Sequence, residues 1–265
     1  MSFTIPLALI ASEVPGTTRD SIFVPFSRDE RDFVLIDTAG VRRRSRVEDD
    51  VERASVTKTL QAIDKAHVVI FVCDAHDVIG EQDASVLGLA LNRGRALLIA
   101  VNKWDGIPME QREDIRRQLE LKLDFVPYAP VHFISARHGT GVGELVQATI
   151  KAYDAAMREI PTPVLTKTLE RAIQQHQPPM VRGRRIKLRY AHQGGRNPPR
   201  IIIHGNQTKD VPDSYTRYLA NVFRKEFDLF ASPVAVEYRG GKNPYDAARK
   251  ADHVGRKAAR GRRSR

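Results

Sequence analysis

The most informative polar residues form the run Asn102-Lys103-Trp104-Asp105, which follows a continuous apolar stretch. A carboxylate at Asp105 can accept hydrogen bonds from both the ring N–H and the exocyclic amino group of guanine, a pattern that adenine does not offer. Asn102 can donate to the ring edge, and the aliphatic stem of Lys103 can lie along the plane of the base. The run therefore predicts a guanine site, although the same residues also fit a helix N-terminus that follows a strand.

A second run, Asp37-Thr38-Ala39-Gly40, ends another predicted strand. Asp37 has the position of the acidic residue that holds Mg²⁺ in phosphate-transfer sites. Gly40 has no Cβ, so its backbone N–H can come close to a γ-phosphate. The next residue, Val41, stands where Ras-like enzymes carry a water-orienting glutamine, so the sequence identifies no catalytic residue.

Two further sequence runs fit the same nucleotide site. The upstream run PGTTRD, residues 15–20, offers the hydroxyls of Thr17 and Thr18 to a loop that closes over Mg²⁺. Ser135-Ala136 ends the last strand of the first half, where a backbone amide can meet the guanine carbonyl. Ligands of open α/β sheets bind at the carboxyl ends of the strands. Four runs in this order, three of them at strand ends, predict one site for GTP or GDP with Mg²⁺.

The first 160 residues alternate between strand and helix patterns. Strands are predicted at residues 21–26, 33–37, 67–73, 96–102 and 131–135, and helices at residues 51–64, 81–93, 110–123 and 142–159. Strands separated by helices of this length indicate a mainly parallel sheet with helices on both faces. The first two strands, joined by a polar turn at residues 27–32, fit an antiparallel pair at the sheet edge.

A boundary is expected at residues 160–163, where two prolines end the long helix. The chain then predicts α-β-β-α-β, with helices at residues 164–175 and 213–227 and strands at residues 186–190, 200–204 and 234–238. We therefore expect one domain over residues 1–160 and a second over 161–245. The Lys/Arg/Ala/Gly-rich residues 246–265 are expected to form a basic, disordered tail.

The net charge of +11 is unevenly distributed. Residues 1–160 carry 20 basic and 24 acidic side chains, whereas residues 161–265 carry 23 basic and 8 acidic ones. This asymmetry favours a second half that meets a polyanion. The candidate RNA-binding residues are Arg182, Arg184, Arg185, Lys187, Arg189, Arg196 and Arg200. Two alternatives remain, a surface that docks on the acidic first half and a tail that only promotes solubility.

The runs PGTTRD, DTAG, NKWD and SA, at these spacings, resemble a translation-factor-class GTPase. More narrowly, they resemble the second GTPase domain of the EngA (Der) family, in which two GTPase domains precede a KH-like domain. The resemblance implies a P-loop-NTPase-type sheet, a small α+β KH-like domain, and a role in assembly of the large ribosomal subunit with ribosomal RNA as partner. By position it implies nucleotide contacts from Asp37, Thr38, Ala39, Gly40, Val41, Asn102, Lys103, Trp104, Asp105, Ser135 and Ala136, and Mg²⁺ ligands among Thr17, Thr18 and Asp37.

The chain departs from that family in its phosphate-binding parts. The 265 residues contain no G-x-x-x-x-G-K-[ST], the loop whose amides and lysine cradle the phosphates, and no preceding GTPase domain. We therefore expect a fragment that is impaired in GTP binding and hydrolysis. The alternative is an RNA- or ribosome-binding module that works without nucleotide. The KH-like part also has no G-x-x-G loop, so RNA binding would depend on basic side chains.

Other features limit the choice of class. A single cysteine, Cys73, excludes a disulfide framework within the chain and fits a reducing compartment. No apolar run is long enough to span a membrane. The apolar residues 1–11 could be mistaken for a signal peptide, but no Lys or Arg appears before Arg19, so the positively charged segment of a signal peptide is missing. We therefore expect a cytoplasmic protein with no membrane partner.

Overall fold

The computed structural model describes residues 4–11, 22–38, 59–77, 79–181 and 183–240, and only the backbone of residues 4–11, 22, 37, 38, 81, 82 and 184. The first unit contains strands β1 (Thr4–Ala11), β2 (Ile22–Arg28), β3 (Arg31–Thr38), β4 (Val68–Asp74), β5 (Ala96–Asn102) and β6 (Val131–Phe133). Its helices are α1 over residues 59–65, α2 (Glu81–Asn92), α3 (Met109–Lys122) and α4 (Val142–Ala156).

The six strands of the first unit form one sheet in the order β2-β3-β1-β4-β5-β6, and every neighbouring pair is parallel except β2 with β3. Buried residues of α1, α2 and α3 share one core with the residues of β4 and β5 that face them, such as Phe71 and Ile99. On the opposite face, Ala148 and Ala152 of α4 pack with Leu98. The predicted mainly parallel sheet with helices on both faces is confirmed.

β1 was not predicted, and it takes a central place in the sheet. Leu9 pairs with Asp37 of β3 on one side and with Ile70 of β4 on the other. The antiparallel start of β2 puts Ile22 opposite Asp37, so Ile22 lies at the same sheet edge as the carboxyl end of β1. Ten residues, 12–21, therefore join two strand ends that lie at one edge.

The β2–β3 hairpin is longer than the sequence predicted, because its turn is tight. Asp29 and Glu30 have positive φ values of 50° and 57°, and Arg28 pairs directly with Arg31. Two consecutive residues with positive φ form the two-residue turn whose twist matches that of the flanking strands. The turn expected at residues 27–32 thus shortens to two residues.

The second unit follows the predicted α-β-β-α-β order: α5 (Thr162–Gln175), β9 (Lys187–Gly195), β10 (Arg200–Asn206), α6 (Asp213–Glu226) and β11 (Ala235–Gly240). The sheet order is β11-β10-β9, with β10 parallel to β11 and antiparallel to β9. One face of this sheet packs under α5 and α6, where Leu165, Ile201, Ile203 and Phe223 are fully buried.

A small hairpin precedes that sheet and changes one expectation. β7 (Met180–Val181) pairs with β8 (Arg184–Arg185), and the buried Ile186 separates β8 from β9. The strand predicted to start at residue 186 starts at Lys187. Arg184 and Arg185 therefore belong to a different strand from Lys187 and Arg189.

The two units contact each other at the sheet edge where β5 begins. Leu97 N donates to Ala231 O at 2.8 Å, and Ala231 is buried in the core beneath α4. Asn197 N donates to Ala156 O at 3.1 Å, and the guanidinium of Arg224 lies 4.6 Å from the ring centre of Tyr128. Because β5 begins at this edge and ends at Asn102, the contact lies at the other end of the strand from the predicted guanine motif.

Within the part of the chain that the structure covers, none of the helices has the length and apolar character needed to cross a bilayer.

Candidate functional site

The predicted base motif lies at the carboxyl end of β5 and is shaped by a left-handed residue. Lys103 has φ 63°, and the chain then enters a single helical turn at Trp104–Gly106. The amide of Trp104 donates to Ile134 O at 3.1 Å, which ties this turn to the chain that follows β6. A sharp turn at a strand end therefore gathers the four residues of the motif at the ligand-binding edge of the sheet.

Asn102 links the ends of β5 and β6. Its Oδ1 accepts a hydrogen bond from Ala136 N at 2.9 Å, and the Nδ2 amino group, the donor end of the amide, has no acceptor among the described residues. Ser135, only 2% exposed, donates its backbone N–H to Thr140 O at 2.9 Å. The amides of Ser135 and Ala136, predicted to meet the base carbonyl, thus already have acceptors within the protein.

Asp105 is kept as a charged acceptor. A hydrogen bond from the Ser135 side chain holds the pKa of Asp105 below its usual value, and the nearby charges of His138 and Arg137 act in the same direction. The Nε2 atom of His138 lies 3.4 Å from Asp105 Oδ2, and both side chains are about half exposed. The carboxylate therefore stays ionised near neutral pH and is accessible to a ligand with N–H donors.

The side chain of Lys103 is held by Asp74, a residue that the sequence reading missed. Lys103 Nζ lies 3.0 Å from Asp74 Oδ2, while Asp74 Oδ1 accepts from the backbone N–H of His76 at 2.9 Å. Asp74 ends β4 directly beside Asn102 in the β4–β5 register, and its side chain is only 13% exposed. The sequence does contain a signal for this residue, because Asp74 is an acidic residue that directly follows the apolar strand predicted at residues 67–73.

Trp104 points away from this group of polar residues. Its ring lies 4.2 Å from that of Phe133, with the guanidinium groups of Arg112 and Arg116 at 5.4 and 5.6 Å from the indole centre. Trp104 therefore anchors the motif between β6 and α3. The nucleotide contact that the family resemblance implied for Trp104 stays a prediction.

The structure describes few of the residues that were predicted to contact the phosphates and Mg²⁺. The backbone of Asp37 and Thr38 ends β3 at the same sheet edge as Asn102. Thr17, Thr18, Ala39, Gly40 and Val41 lie outside the described residues. The segment between β1 and β2, SEVPGTTRDS, contains one glycine and no lysine. The central strand of this sheet is thus followed by a connection without the Gly-Lys-[ST] sequence of a phosphate loop.

Two family descriptions match the chain, one for each unit. Residues 5–103 match the family described as 50S ribosome-binding GTPase, and residues 159–239 match the KH-domain-like family of EngA bacterial GTPase enzymes, C-terminal. GTPase Der from Thioalkalivibrio sulfidiphilus is 57% identical over 241 residues, which are 91% of this chain and 52% of that protein. GTPase Der from Citrobacter koseri is 54% identical over 89% of this chain and 48% of its own length.

The chain belongs to the EngA (Der) family. It spans about half the length of the curated relatives it matches. Among solved structures, Era from Aquifex aeolicus bound to GDP·AlF4− is 16% identical, with a TM-score of 0.48 over 89% of this chain and 93% of that one.

The predicted RNA-binding residues of this EngA-family chain fall into three groups. Arg196 pairs with Glu159 at 2.9 Å, and Arg200 pairs with Glu237 at 3.2 Å. Among the described residues, no ion pair engages the exposed Arg185, Lys187 or Arg189. Arg182 lies outside the described residues, and of Arg184 only the backbone is described.

The alternative of a basic surface docked on the acidic first half receives little support in the described residues. Among the described residues, the contact between the units involves residues 227–232, Asn197-Pro198 and Arg224 of the KH-like unit. Arg158 Nη1, for example, donates to Phe227 O at 2.6 Å. Of the predicted RNA-binding residues whose side chains the structure describes, Arg196 lies near that contact, because it pairs with Glu159 at the junction between the units. The exposed cations therefore remain available to a polyanion.

Proposed function

We propose that this chain carries the guanine-binding and KH-like parts of a GTPase that assists assembly of the large ribosomal subunit. The observation that supports the proposal best is the convergence of three groups at one sheet edge. These are the amide of Asn102, oriented by Ala136 N, the carboxylate of Asp105, kept ionised by Ser135, and the stem of Lys103, held by Asp74.

These groups match guanine more closely than adenine. The ionised Asp105 offers two acceptor oxygens to the ring N–H and the exocyclic amino group, and Asn102 Nδ2 is free to donate to the ring edge. The ion pair with Asp74 fixes the direction of the Lys103 side chain, so that its aliphatic part can lie along the base. Since adenine presents no such pair of donors, it would leave a carboxylate unpaired, which disfavours its binding.

The phosphates would be held less well. Phosphate recognition supplies most of the charge-assisted contacts to a nucleotide, and the loop that makes them in P-loop proteins is absent from the sequence between β1 and β2. Asp37, at the end of β3, is the residue we assign to Mg²⁺, with Thr17 and Thr18 as further candidates. We therefore expect this chain to bind GDP and GTP weakly and to hydrolyse GTP poorly.

The test is a titration of fluorescent GDP with the full chain in Mg²⁺ and potassium, with fluorescent ADP as the comparison. We expect guanine-selective binding that Asp105→Asn abolishes. An asparagine can donate to the O2 of xanthine while accepting from its ring N–H, so the same variant should gain binding of xanthosine diphosphate. Equal binding of GDP and ADP, or GDP binding that survives Asp105→Asn without a gain for xanthosine diphosphate, would contradict the guanine pocket.

The second candidate function is an RNA- or ribosome-binding module that acts without nucleotide. The lack of a Gly-Lys-[ST] sequence favours it, as do the exposed cations Arg185, Lys187 and Arg189. A dissociation constant above about 1 mM for GDP, equivalent to roughly −4 kcal/mol, together with RNA binding that GDP leaves unchanged, would select this candidate. RNA affinity that rises or falls with GDP would select the first.

A further inference from the structure

The sheet of the KH-like unit has one open face, and three aromatic rings lie next to one another on it. The rings of Tyr190 and His204 are 4.3 Å apart between centres and nearly parallel, at 6°. His192 lies 5.1 Å from His204 at 29°. Tyr190 is 43% exposed, so part of its ring remains in contact with solvent. We call these three residues the aromatic row.

The strand register explains why these side chains meet. Tyr190 on β9 lies directly opposite His204 on β10, and His192 lies opposite Ile202. Side chains alternate between the two faces of a strand, so the buried Ile201 and Ile203 point to the core while Ile202 and His204 point to the open face. The aromatic row is therefore set by pairing between strands and not by spacing within one of them.

Positive side chains border the aromatic row. Arg239 on β11 lies opposite His204, and Lys187 on β9 lies opposite Asn206, two residues beyond His204 on the same face of β10. Neither cation has an ion-pair partner among the residues the structure covers. At the other end, Arg200 is paired with Glu237 at 3.2 Å. The open face thus combines exposed aromatic surface with two unpaired positive charges.

The protonation state of His204 and the hydrogen bonding of its ring both matter for what the open face can bind. Burial lowers the pKa of His204, and the charges of His192 and Arg239 act in the same direction, so the ring is neutral at pH 7 and stacks without charge repulsion. Its Nε2 atom is buried and has no hydrogen-bond partner among the described residues. Cross-strand ring pairs stabilise sheets, but that role requires neither flanking cations nor an unpaired ring nitrogen.

We propose that the aromatic row binds single-stranded RNA by stacking bases on Tyr190 and its neighbours, while Lys187 and Arg239 contact the adjacent phosphates. Proteins that bind single strands combine aromatic stacking surfaces with a positively charged track along the backbone, which is the arrangement on this face. The G-x-x-G clamp of ordinary KH domains is absent from the sequence, so the open sheet face supplies an alternative surface. This inference rests on the proposed function only in taking the KH-like unit to bind RNA.

The test measures base stacking directly. The full chain is titrated into a single-stranded RNA that contains 2-aminopurine, whose fluorescence is quenched when it stacks, and affinity is followed in parallel by anisotropy. We expect quenching with the unsubstituted chain and with Tyr190→Phe, which keeps the ring. Tyr190→Leu, which keeps apolar bulk but no ring, should lose the quenching and weaken binding about five- to a hundredfold, the worth of one stacked base.

Two further variants complete the design. Phe23→Leu removes an aromatic ring of similar exposure from the first unit and should change neither quenching nor affinity. Replacing both Lys187 and Arg239 by glutamine should lower the slope of log affinity against log salt by about 1.4, the effect of two phosphate contacts on a single strand. Circular dichroism of each variant verifies that the sheet is intact.

The outcomes separate the two proposals. If the unsubstituted chain binds no RNA, the RNA-binding part of the proposed function fails and the aromatic row fails with it. If the chain binds RNA without quenching, or if Tyr190→Leu binds as well as Tyr190→Phe, only the aromatic row is overturned. That second result would leave the open face to a protein partner.

Discussion

The contact between the two units can be tested at Gly94, in the turn between α2 and β5. This glycine has φ +68°, and a Cβ added to it would lie 2.6 Å from Cγ and 2.8 Å from Cδ of Pro198 in the KH-like unit. Real Cβ atoms essentially never come closer than 3.0 Å to a heavy atom outside their own residue and its two chain neighbours. Because a proline ring cannot rotate away, Gly94→Ala forces either the turn or the contact between the units to shift.

The expected loss has two parts. Placing an alanine in the left-handed region costs about 1 kcal/mol, and forcing a methyl group into packed surroundings costs about 1–3 kcal/mol. Gly94→Ala should therefore lower the free energy of unfolding by about 2–4 kcal/mol. Gly139→Ala is the matched control, since Gly139 has φ +74° but nothing within 4 Å of an added Cβ. It should lose only the first part, about 1 kcal/mol.

Urea unfolding followed by two probes distinguishes the cost of the left-handed backbone from the loss of the contact between the units. Trp104 is the only tryptophan of the chain and reports on the first unit, whereas far-ultraviolet circular dichroism reports on both units. With docked units we expect coincident transitions for the unsubstituted chain and for Gly139→Ala, and separated ones for Gly94→Ala. If Gly94→Ala loses no more stability than Gly139→Ala and its two transitions coincide, the contact at Pro198 does not couple the units, and our reasoning is refuted.

Three other predictions concern single features. Gly205→Ala would place Cβ 2.2 Å from Lys187 O, a backbone atom, and should lower the unfolding free energy by about 3 kcal/mol. The control Gly195→Ala meets only Arg200 Cβ at 3.8 Å and should lose less than about 1 kcal/mol in the same urea titration. Burial raises the pKa of Tyr128 to about 12, against about 10 unfolded. The neutral phenol thus contributes stability below pH 10 that is lost as the pH rises towards 12, and Tyr128→Phe should reduce this loss in unfolding measured from pH 8 to 11.5. Deleting residues 249–265, with eight basic and one acidic side chains, should weaken RNA binding and flatten its salt dependence, and an unchanged salt slope would contradict this.

The candidate guanine site shows how much local sequence patterns can predict. The sequence predicted Asn102, Asp105 and Ser135 as one site, because strand ends in a parallel sheet meet at one edge whatever the details of packing. It did not predict that Asp74 holds Lys103, since the two are 29 residues apart and meet only through the β4–β5 register. The contact of a Ser135 or Ala136 amide with the base stays a prediction, and in this structure both amides donate within the protein.

By itself, the sequence determined the alternation of strands and helices, the order of elements in the KH-like unit, and the polar motifs at the strand ends. The strand at Ala96–Asn102 begins and ends at the predicted residues. These features depend on residues that are close in the chain. The apolar periodicity sets the strands and helices, and the prolines after α4 set the boundary between the units.

Only the tertiary structure decided which distant segments pair. It placed β1 between β3 and β4, brought Ala231 under α4, and set Tyr190 beside His204. A shift of one residue in pairing sends a side chain to the other face of a strand. The aromatic row and the contact between the units therefore depend on registers and bulges that arise when the whole chain packs, because no local pattern specifies a partner so far away in sequence.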